Sequence, residues 1–122
     1  MKKILIIDDE QAILQMVKRL VEKAGHTAEL ASNGEEGMMM IEEHSFDLVI
    51  TDIIMPKKEG IEIITAIRKN YPKIKVIAMS GGGKFTPEGY LKSAKILGAN
   101  RVFTKPFNHR EMMKAIDELI GE

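Results

Sequence analysis

Short apolar runs alternate along the chain with segments in which apolar positions recur every three or four residues. The first run, Ile4–Ile7, is continuously apolar, as in a strand covered on both faces. From Ile13 the apolar spacing becomes helical and stops at Gly25. The same alternation continues to the end of the sequence and predicts five strands and five helices. The later predicted elements are a weak strand at Thr27–Ala31, a helix capped by Ser32 or Asn33 and running toward His44, a strand from Leu48 ending at Thr51 and Asp52, a helix through Ile63, Ile64 and Ile67 to about Asn70, a strand at Val76–Met79, a helix from near Pro87 to Gly98, a strand at Val102 and Phe103, and a last helix capped by Asn108.

Strict alternation of strands and helices indicates a parallel sheet, since parallel strands are joined by right-handed helical crossovers. Helices then cover both faces of the sheet. The predicted fold is a doubly wound α/β domain, a three-layer (βα)5 sandwich. At roughly 100 to 200 residues per domain, the 122 residues indicate one domain spanning 1–122.

Charge and composition narrow the function further. The 18 Lys and Arg balance the 18 Asp and Glu, so no broad positive field is present to attract nucleic acid or an anionic membrane. The first apolar run is too short for a signal sequence, and none of the apolar runs is long enough to span a bilayer. With no cysteine for disulfides, the expected location is the cytoplasm.

Polar side chains follow four of the five predicted strands. Asp8 and Asp9 follow the first, Asp52 ends the third, Ser80 follows the fourth and Lys105 follows the fifth. In an open parallel sheet, ligands bind beyond the carboxyl ends of the strands, where the strand order reverses. We therefore expect these side chains, far apart in sequence, to meet at one edge of the sheet.

Three carboxylates in one cleft repel each other unless a cation compensates them. Oxygen ligands without nearby His or Cys favour a hard ion such as Mg2+, which commonly also binds a phosphate oxygen. An Asp carboxylate can act as a nucleophile toward phosphorus, while a metal and a Lys neutralise the phosphoryl oxygens. The expected occupants are Mg2+ and a phosphoryl group.

Four motifs at strand ends resemble the receiver domain of bacterial two-component response regulators, a CheY-like family. They are ILIIDDE at the first strand, DLVITDIIMP at the third, MSG after the fourth and FTKPF at the fifth. The resemblance extends over the whole chain. It implies a flavodoxin-like fold with strand order 2-1-3-4-5.

The resemblance also implies roles for individual residues. Asp52 is the implied phosphoacceptor, and Asp9, Asp52 and the backbone carbonyl of Ile54 are the implied Mg2+ ligands. Asp8 is expected to act mainly through water.

On the phosphoryl side, Lys105 is expected to pair with phosphoryl oxygens and Ser80 to move inward and hydrogen-bond another, with Gly81 in the adjoining loop. Taken alone, Ser80 could be merely a capping hydroxyl, and the phosphoryl contact is favoured once Asp52 and Lys105 are assigned. The Lys105–Pro106 bond is expected to be cis, an isomer that places the Lys.

The sequence departs from the family pattern at the position three residues before Lys105. Receivers usually carry Tyr or Phe there, and this chain has Val102. Phe103 cannot simply substitute, because successive strand residues point to opposite faces. The stretch from Gly81 to Pro87 is also glycine-rich and slightly long.

The implied function is a phosphorylation-dependent switch rather than a conventional enzyme, although it would catalyse its own phosphorylation and dephosphorylation. The implied donor is a phosphohistidine of a sensor histidine kinase or phosphotransfer protein. Output is expected at the face of the fourth helix, fifth strand and fifth helix, in a monomer or a phosphorylation-dependent dimer.

Two readings of the output stay open. The chain is either a stand-alone regulator that binds a downstream target protein, or the input half of a longer regulator whose DNA-binding or enzymatic domain is absent. In neither reading does this domain bind nucleic acid directly. A pseudo-receiver that never accepts phosphate is disfavoured by the intact set of Asp8, Asp9, Asp52 and Lys105.

Three other phosphate chemistries fit the sequence poorly. A phosphate loop before Lys84 would need Gly where Ala78 stands and Ser or Thr where Phe85 stands. A haloacid-dehalogenase-like phosphatase normally has a second Asp two residues after the nucleophile, and here that position is Ile54. A flavin-binding flavodoxin would need a hydroxyl- and glycine-rich phosphate loop after the first strand. The acidic segment 8–10 stands there and would repel the flavin phosphate.

Overall fold

The chain forms the five-stranded parallel sheet that the alternating pattern predicts. The computed structural model describes residues 2–53, 60–80 and 98–121. Every neighbouring pair of strands is parallel, and the spatial order is β2-β1-β3-β4-β5. This confirms the expected order, which reverses between β1 and β3. The strands are β1 (Lys3–Ile7), β2 (Thr27–Ala31), β3 (Leu48–Asp52), β4 (Lys75–Ser80) and β5 (Arg101–Thr104).

Four helices occupy the described part of the chain. They are α1 (Gln11–Lys23), α2 (Gly34–Glu43), α3 (Gly60–Asn70) and the C-terminal helix (His109–Ile120). None of these four has the length and apolar character needed to cross a bilayer. The helix predicted between Pro87 and Gly98, and the glycine segment that precedes it, lie outside the described residues.

Local chemistry sets the helix ends close to where the sequence predicts them. The side chain of Asn33 accepts a hydrogen bond from the backbone N–H of Glu36 at 2.8 Å, which caps α2. Asn108 caps the C-terminal helix in the same way, from the N–H of Glu111 at 3.0 Å. After α1 the chain turns at Gly25, whose φ of 91° lies in the left-handed region that glycine adopts without a Cβ penalty.

Side chains on the two faces of the sheet form separate hydrophobic cores. One core lies under α2 and α3, and the other lies under α1 and the C-terminal helix. Val102 packs against the first core and Phe103 against the second, so strand alternation places them on opposite faces as predicted. The three-layer arrangement is confirmed. Helix residues of the first core are Ile41, Ile63, Ile64 and Ile67; those of the second are Leu14, Val17, Leu20, Val21, Met112, Ala115, Ile116 and Ile120.

Candidate functional site

Two buried carboxylates meet at the point where the strand order reverses. Ile7 in β1 pairs with Thr51 in β3, so Asp8 and Asp52 follow side by side at the carboxyl ends of adjacent strands. Asp8 is completely buried and Asp52 is 6% exposed. Fully buried carboxylates are rare without a partner, so the site must supply positive charge.

Lys105, which directly follows β5, supplies that charge. Its ammonium donates to Asp8 Oδ2 at 2.7 Å and to Asp52 Oδ2 at 3.4 Å. The backbone N–H of Lys105 donates to the carbonyl of Ser80 at 2.8 Å, which ties the residue to the end of β4. The Lys105–Pro106 peptide bond is cis. The structure thus brings together three side chains separated by up to 97 positions.

Ser80, the last residue of β4, is buried at the same edge. Within the described residues, its Oγ has no hydrogen-bond partner. A buried hydroxyl without a partner costs free energy, because it has lost water and gained nothing in exchange. This hydroxyl is therefore available to a ligand that carries acceptor oxygens.

The acidic segment 8–10 is the remaining described part of the site. Asp9 and Glu10 are exposed, and one carboxylate oxygen from each lies within 4.8 Å of one from Asp8. Glu10 Oε1 is also 3.4 Å from Lys105 Nζ. Sequence reasoning gave Glu10 no role at the site, although three consecutive acids at the start of a helix were a visible signal. Ile54 and Gly81 lie outside the described residues.

Burial and charge act in opposite directions on the ionisable groups. Burial raises the pKa of Asp52 to about 6, against the attraction of the Lys105 ammonium. Burial also raises the pKa of Asp8, although hydrogen bonds from Lys105 and from the Glu10 N–H oppose the rise. For Lys105, burial alone would lower the pKa of the amine, but its hydrogen bond to Asp8 and the nearby carboxylates raise it overall. Lys105 therefore stays protonated at neutral pH.

The cluster is suited to bind a hard cation and a phosphoryl group. Its donors are carboxylate oxygens, which Mg2+ prefers, and the charges of Asp8 and Asp52 exceed what Lys105 alone can balance. The Ser80 hydroxyl, which none of the described residues engages, and the Lys105 ammonium can both donate to phosphoryl oxygens. The residues present fit a magnesium ion.

Comparison with known sequences agrees with this chemistry. The family model of the response regulator receiver domain matches residues 4–117. The transcriptional regulatory protein CpxR of Escherichia coli (strain K12) is 31% identical over 120 residues, which cover 98% of this chain and 50% of that protein. The chemotaxis protein CheY of Halobacterium salinarum is also 31% identical, over 98% of this chain and 97% of its own length. The chain thus spans about half the length of CpxR and nearly all of CheY.

Solved structures give the same result. A response regulator receiver domain protein from Clostridium thermocellum superposes with a TM-score of 0.88 at 37% identity, covering 98% of this chain and 94% of that one. The response regulator TrrA from Thermotoga maritima, solved in complex with Mg2+ and BeF, superposes with a TM-score of 0.83 at 30% identity, covering 98% of this chain and 100% of that one. On the family match and on these likenesses, this chain belongs to the response regulator receiver domains of two-component signalling.

Proposed function

We propose that this chain is a phosphoacceptor switch in which Asp52 receives a phosphoryl group from a phosphohistidine of a sensor kinase or phosphotransfer protein. The observation that carries the proposal is the position of the Asp52 carboxylate. It is buried at the carboxyl end of β3, with a lysine ammonium 3.4 Å away and, at the same sheet edge, a serine hydroxyl that has no partner among the described residues. Phosphoryl transfer requires a nucleophile, a positive charge near the phosphoryl oxygens and a hydrogen-bond donor to one of those oxygens.

In the proposed reaction, an oxygen of Asp52 attacks the phosphorus of the phosphohistidine. The new oxygen–phosphorus bond forms as the phosphorus–nitrogen bond breaks, and the electron pair returns to the imidazole. Lys105 neutralises one phosphoryl oxygen and Ser80 donates a hydrogen bond to another. The switch resets when water attacks the phosphorus and the Asp52 carboxylate leaves, releasing inorganic phosphate. In this proposal the chain catalyses both the phosphorylation and the dephosphorylation of its own Asp52.

Mg2+ is the proposed cofactor. Asp9 and Asp52 would bind it directly together with the Ile54 carbonyl, and Asp8 would act through water. The acidic cluster of Asp8, Asp9 and Glu10 supports this assignment. When bound, the ion offsets the combined negative charge of the carboxylates and the phosphoryl group.

The proposed output is a change in the face formed by β5, the C-terminal helix and the helix that the sequence predicts between Pro87 and Gly98. The hydrogen bond from the Lys105 N–H to the Ser80 carbonyl supports this direction, because movement at Ser80 is passed to the segment after β5. The residues proposed to take part in switching are Ser80, Gly81, Val102 and Pro106. With Val102 in place of an aromatic ring, the proposed coupling to the output face is weaker than in receivers that carry the ring, or follows another route. In this proposal the chain works in the cytoplasm, as a monomer or a phosphorylation-dependent dimer.

The downstream partner is a target protein or an output domain on a longer chain. The match to half of CpxR supports the second reading, and the match to nearly all of CheY supports the first. Contact with nucleic acid would belong to an output domain, since this chain has no net charge.

The proposal is tested by treating the protein with acetyl phosphate and Mg2+ and recording intact mass. We expect the parent to gain one phosphoryl group, the gain to vanish with a chelator, and the Asp52→Asn variant to gain none. Failure of the parent under conditions that label a control receiver would contradict the proposal. An equal gain in Asp52→Asn would place the phosphoryl group on another residue.

A further inference from the structure

Residue 10 contacts both members of the Asp8–Lys105 ion pair. Its backbone N–H donates to Asp8 Oδ1 at 2.9 Å, while its side-chain Oε1 lies 3.4 Å from Lys105 Nζ. The two oxygens of Asp8 are thereby divided, one held by the backbone of Glu10 and the other by Lys105. The start of α1 is thus built into the site.

Helix capping does not explain a glutamate at this position. Glu10 is the N-cap of α1, where Ser, Thr, Asp and Asn are the favoured residues. Its side chain accepts no capping hydrogen bond from the helix. The side chain reaches away from the helix backbone to Lys105 instead.

Glu10 approaches Lys105 from the solvent side. The Glu10 side chain is 61% exposed, whereas Lys105 is 10% exposed and Asp8 is fully buried. The ammonium therefore has two buried carboxylate partners, Asp8 and Asp52, and one exposed partner. A phosphoryl group on Asp52 would need this same ammonium, so its oxygens and the Glu10 carboxylate compete for it.

We propose that Glu10 is a positioning residue that restrains Lys105 in the unphosphorylated protein and must release it when Asp52 is phosphorylated. This inference rests on the proposed function and adds a control on its rate. Exposed ion pairs are weak, so the restraint is modest. Loss of the contact is expected to raise the rate of phosphorylation by acetyl phosphate about two- to fivefold.

Two substitutions separate the contact from the charge. Glu10→Gln removes the charge at nearly constant shape. Glu10→Asp keeps the charge but is one methylene shorter, and an aspartate at this position can cap α1. Glu22→Gln is the matched control, since Glu22 is exposed on the same helix and contributes no side chain to the site.

The measurements are the motion of the Lys105 side chain by nuclear-spin relaxation, the rate of phosphorylation at low salt, and thermal unfolding. We expect Lys105 to become more mobile and phosphorylation to become faster in both Glu10 variants, with Glu22→Gln like the parent. Thermal unfolding of Glu10→Asp should occur at the parent temperature or higher, so faster reaction there cannot be attributed to a damaged fold.

Unchanged Lys105 motion in the two Glu10 variants would overturn the inference. So would a Glu10→Asp variant that reacts like the parent while Glu10→Gln reacts faster, because the effect would then come from charge at the rim. The relaxation measurement needs no phosphorylation. If the parent never accepts phosphate, the proposed function fails, and the Glu10–Lys105 contact is still tested separately.

Discussion

Among single residues, the two buried carboxylates of the site destabilise the folded, unphosphorylated protein when both are ionised. Asp8 and Asp52 are buried side by side, and burial raises the pKa of both carboxyls. One buried ammonium, on Lys105, contacts both. A cation or the loss of a carboxylate charge should therefore stabilise the folded state.

Asp52→Asn is expected to stabilise the protein at neutral and alkaline pH in metal-free buffer. Because the folded pKa of Asp52 is about 6 and the ordinary value is 3.8, the ionised residue favours unfolding above pH 6. The gain should reach at most about 3 kcal/mol at pH 8 and shrink as pH falls from 6 toward 4, where Asp52 is protonated in the folded state. Denaturant unfolding at several pH values measures it. A gain that does not change with pH would contradict the shifted pKa.

Ser80→Ala is expected to weaken beryllofluoride binding while leaving the free energy of unfolding almost unchanged. The hydroxyl is buried without a partner among the described residues, so its removal should change the free energy of unfolding by less than about 1 kcal/mol. If it donates to a phosphoryl oxygen, the affinity for beryllofluoride with Mg2+ should fall about tenfold. Ser45→Ala, at an exposed position, is the control. Unchanged beryllofluoride affinity in Ser80→Ala would remove Ser80 from the phosphoryl contact.

Sequence reasoning located the site because strand ends meet at one edge of a parallel sheet, whatever the distance along the chain. It could therefore place Asp8, Asp52 and Lys105 together. It could not find the Glu10 contact, since that depends on the direction of one side chain at a helix start. That the Ser80 hydroxyl finds no partner within residues 2–53, 60–80 and 98–121 is likewise a property of packing, which residue spacing does not encode.

At the scale of elements, the start of α3 is packed directly against the end of β3. The N–H of Gly60 donates to the carbonyl of Ile53 at 2.8 Å. A Cβ on Gly60 would lie 2.7 Å from Ile53 Cα and would also overlap the carbonyl oxygen of Asp52. Only glycine allows this approach, which fixes the backbone next to Asp52, the proposed phosphoacceptor.

Gly60→Ala is accordingly expected to destabilise the protein by about 1–3 kcal/mol and to slow phosphorylation of Asp52, since the backbone must move. Gly37→Ala is the comparison, because its Cβ would overlap the end of a side chain, Ile7 Cδ1 with Cγ1 at 3.0 Å, rather than backbone atoms. Its cost should be smaller, as alanine also favours the helix. Thermal unfolding and intact mass measure the two effects. Equal effects of the two substitutions would contradict a special role for the close approach at Gly60.

Element boundaries were predicted well where local chemistry determines them. The sequence predicts Asn108 as the cap of the last helix and Ser32 or Asn33 as the cap of the second, and in the structure Asn108 and Asn33 are the caps. The start of α1 was less accurate, since its apolar stripe begins at Ile13 but the helix begins at Gln11. The first turn of α1 is exposed at Gln11 and Ala12, so it carries no buried position for the stripe to mark.

At the scale of the whole molecule, two cores on opposite faces of one sheet support a site at the sheet's edge. Val102 belongs to the side of α2 and α3, and Phe103 to the side of α1 and the C-terminal helix. Because β4 pairs with β5, a conformational change at Ser80 can affect both faces of the sheet through Val102 and Phe103. This expectation concerns a shift between conformations of an otherwise intact fold.

Beryllofluoride with Mg2+ is expected to alter amide hydrogen exchange in β5 and at the start of the C-terminal helix, while exchange in β2 stays constant. Exchange followed by mass spectrometry of peptides measures this, with Asp52→Asn as the control. Changes confined to the segments around residues 8–10 and 52 would contradict the proposed output face.

Chemical trapping shows whether Asp52 carries the phosphoryl group. Borohydride reduces an aspartyl phosphate to homoserine, so peptide mapping after acetyl phosphate, Mg2+ and borohydride marks the acceptor. We expect homoserine at position 52 in the parent and in no peptide of Asp52→Asn. Homoserine at another aspartate, or none in the parent while a control receiver is converted, would contradict it.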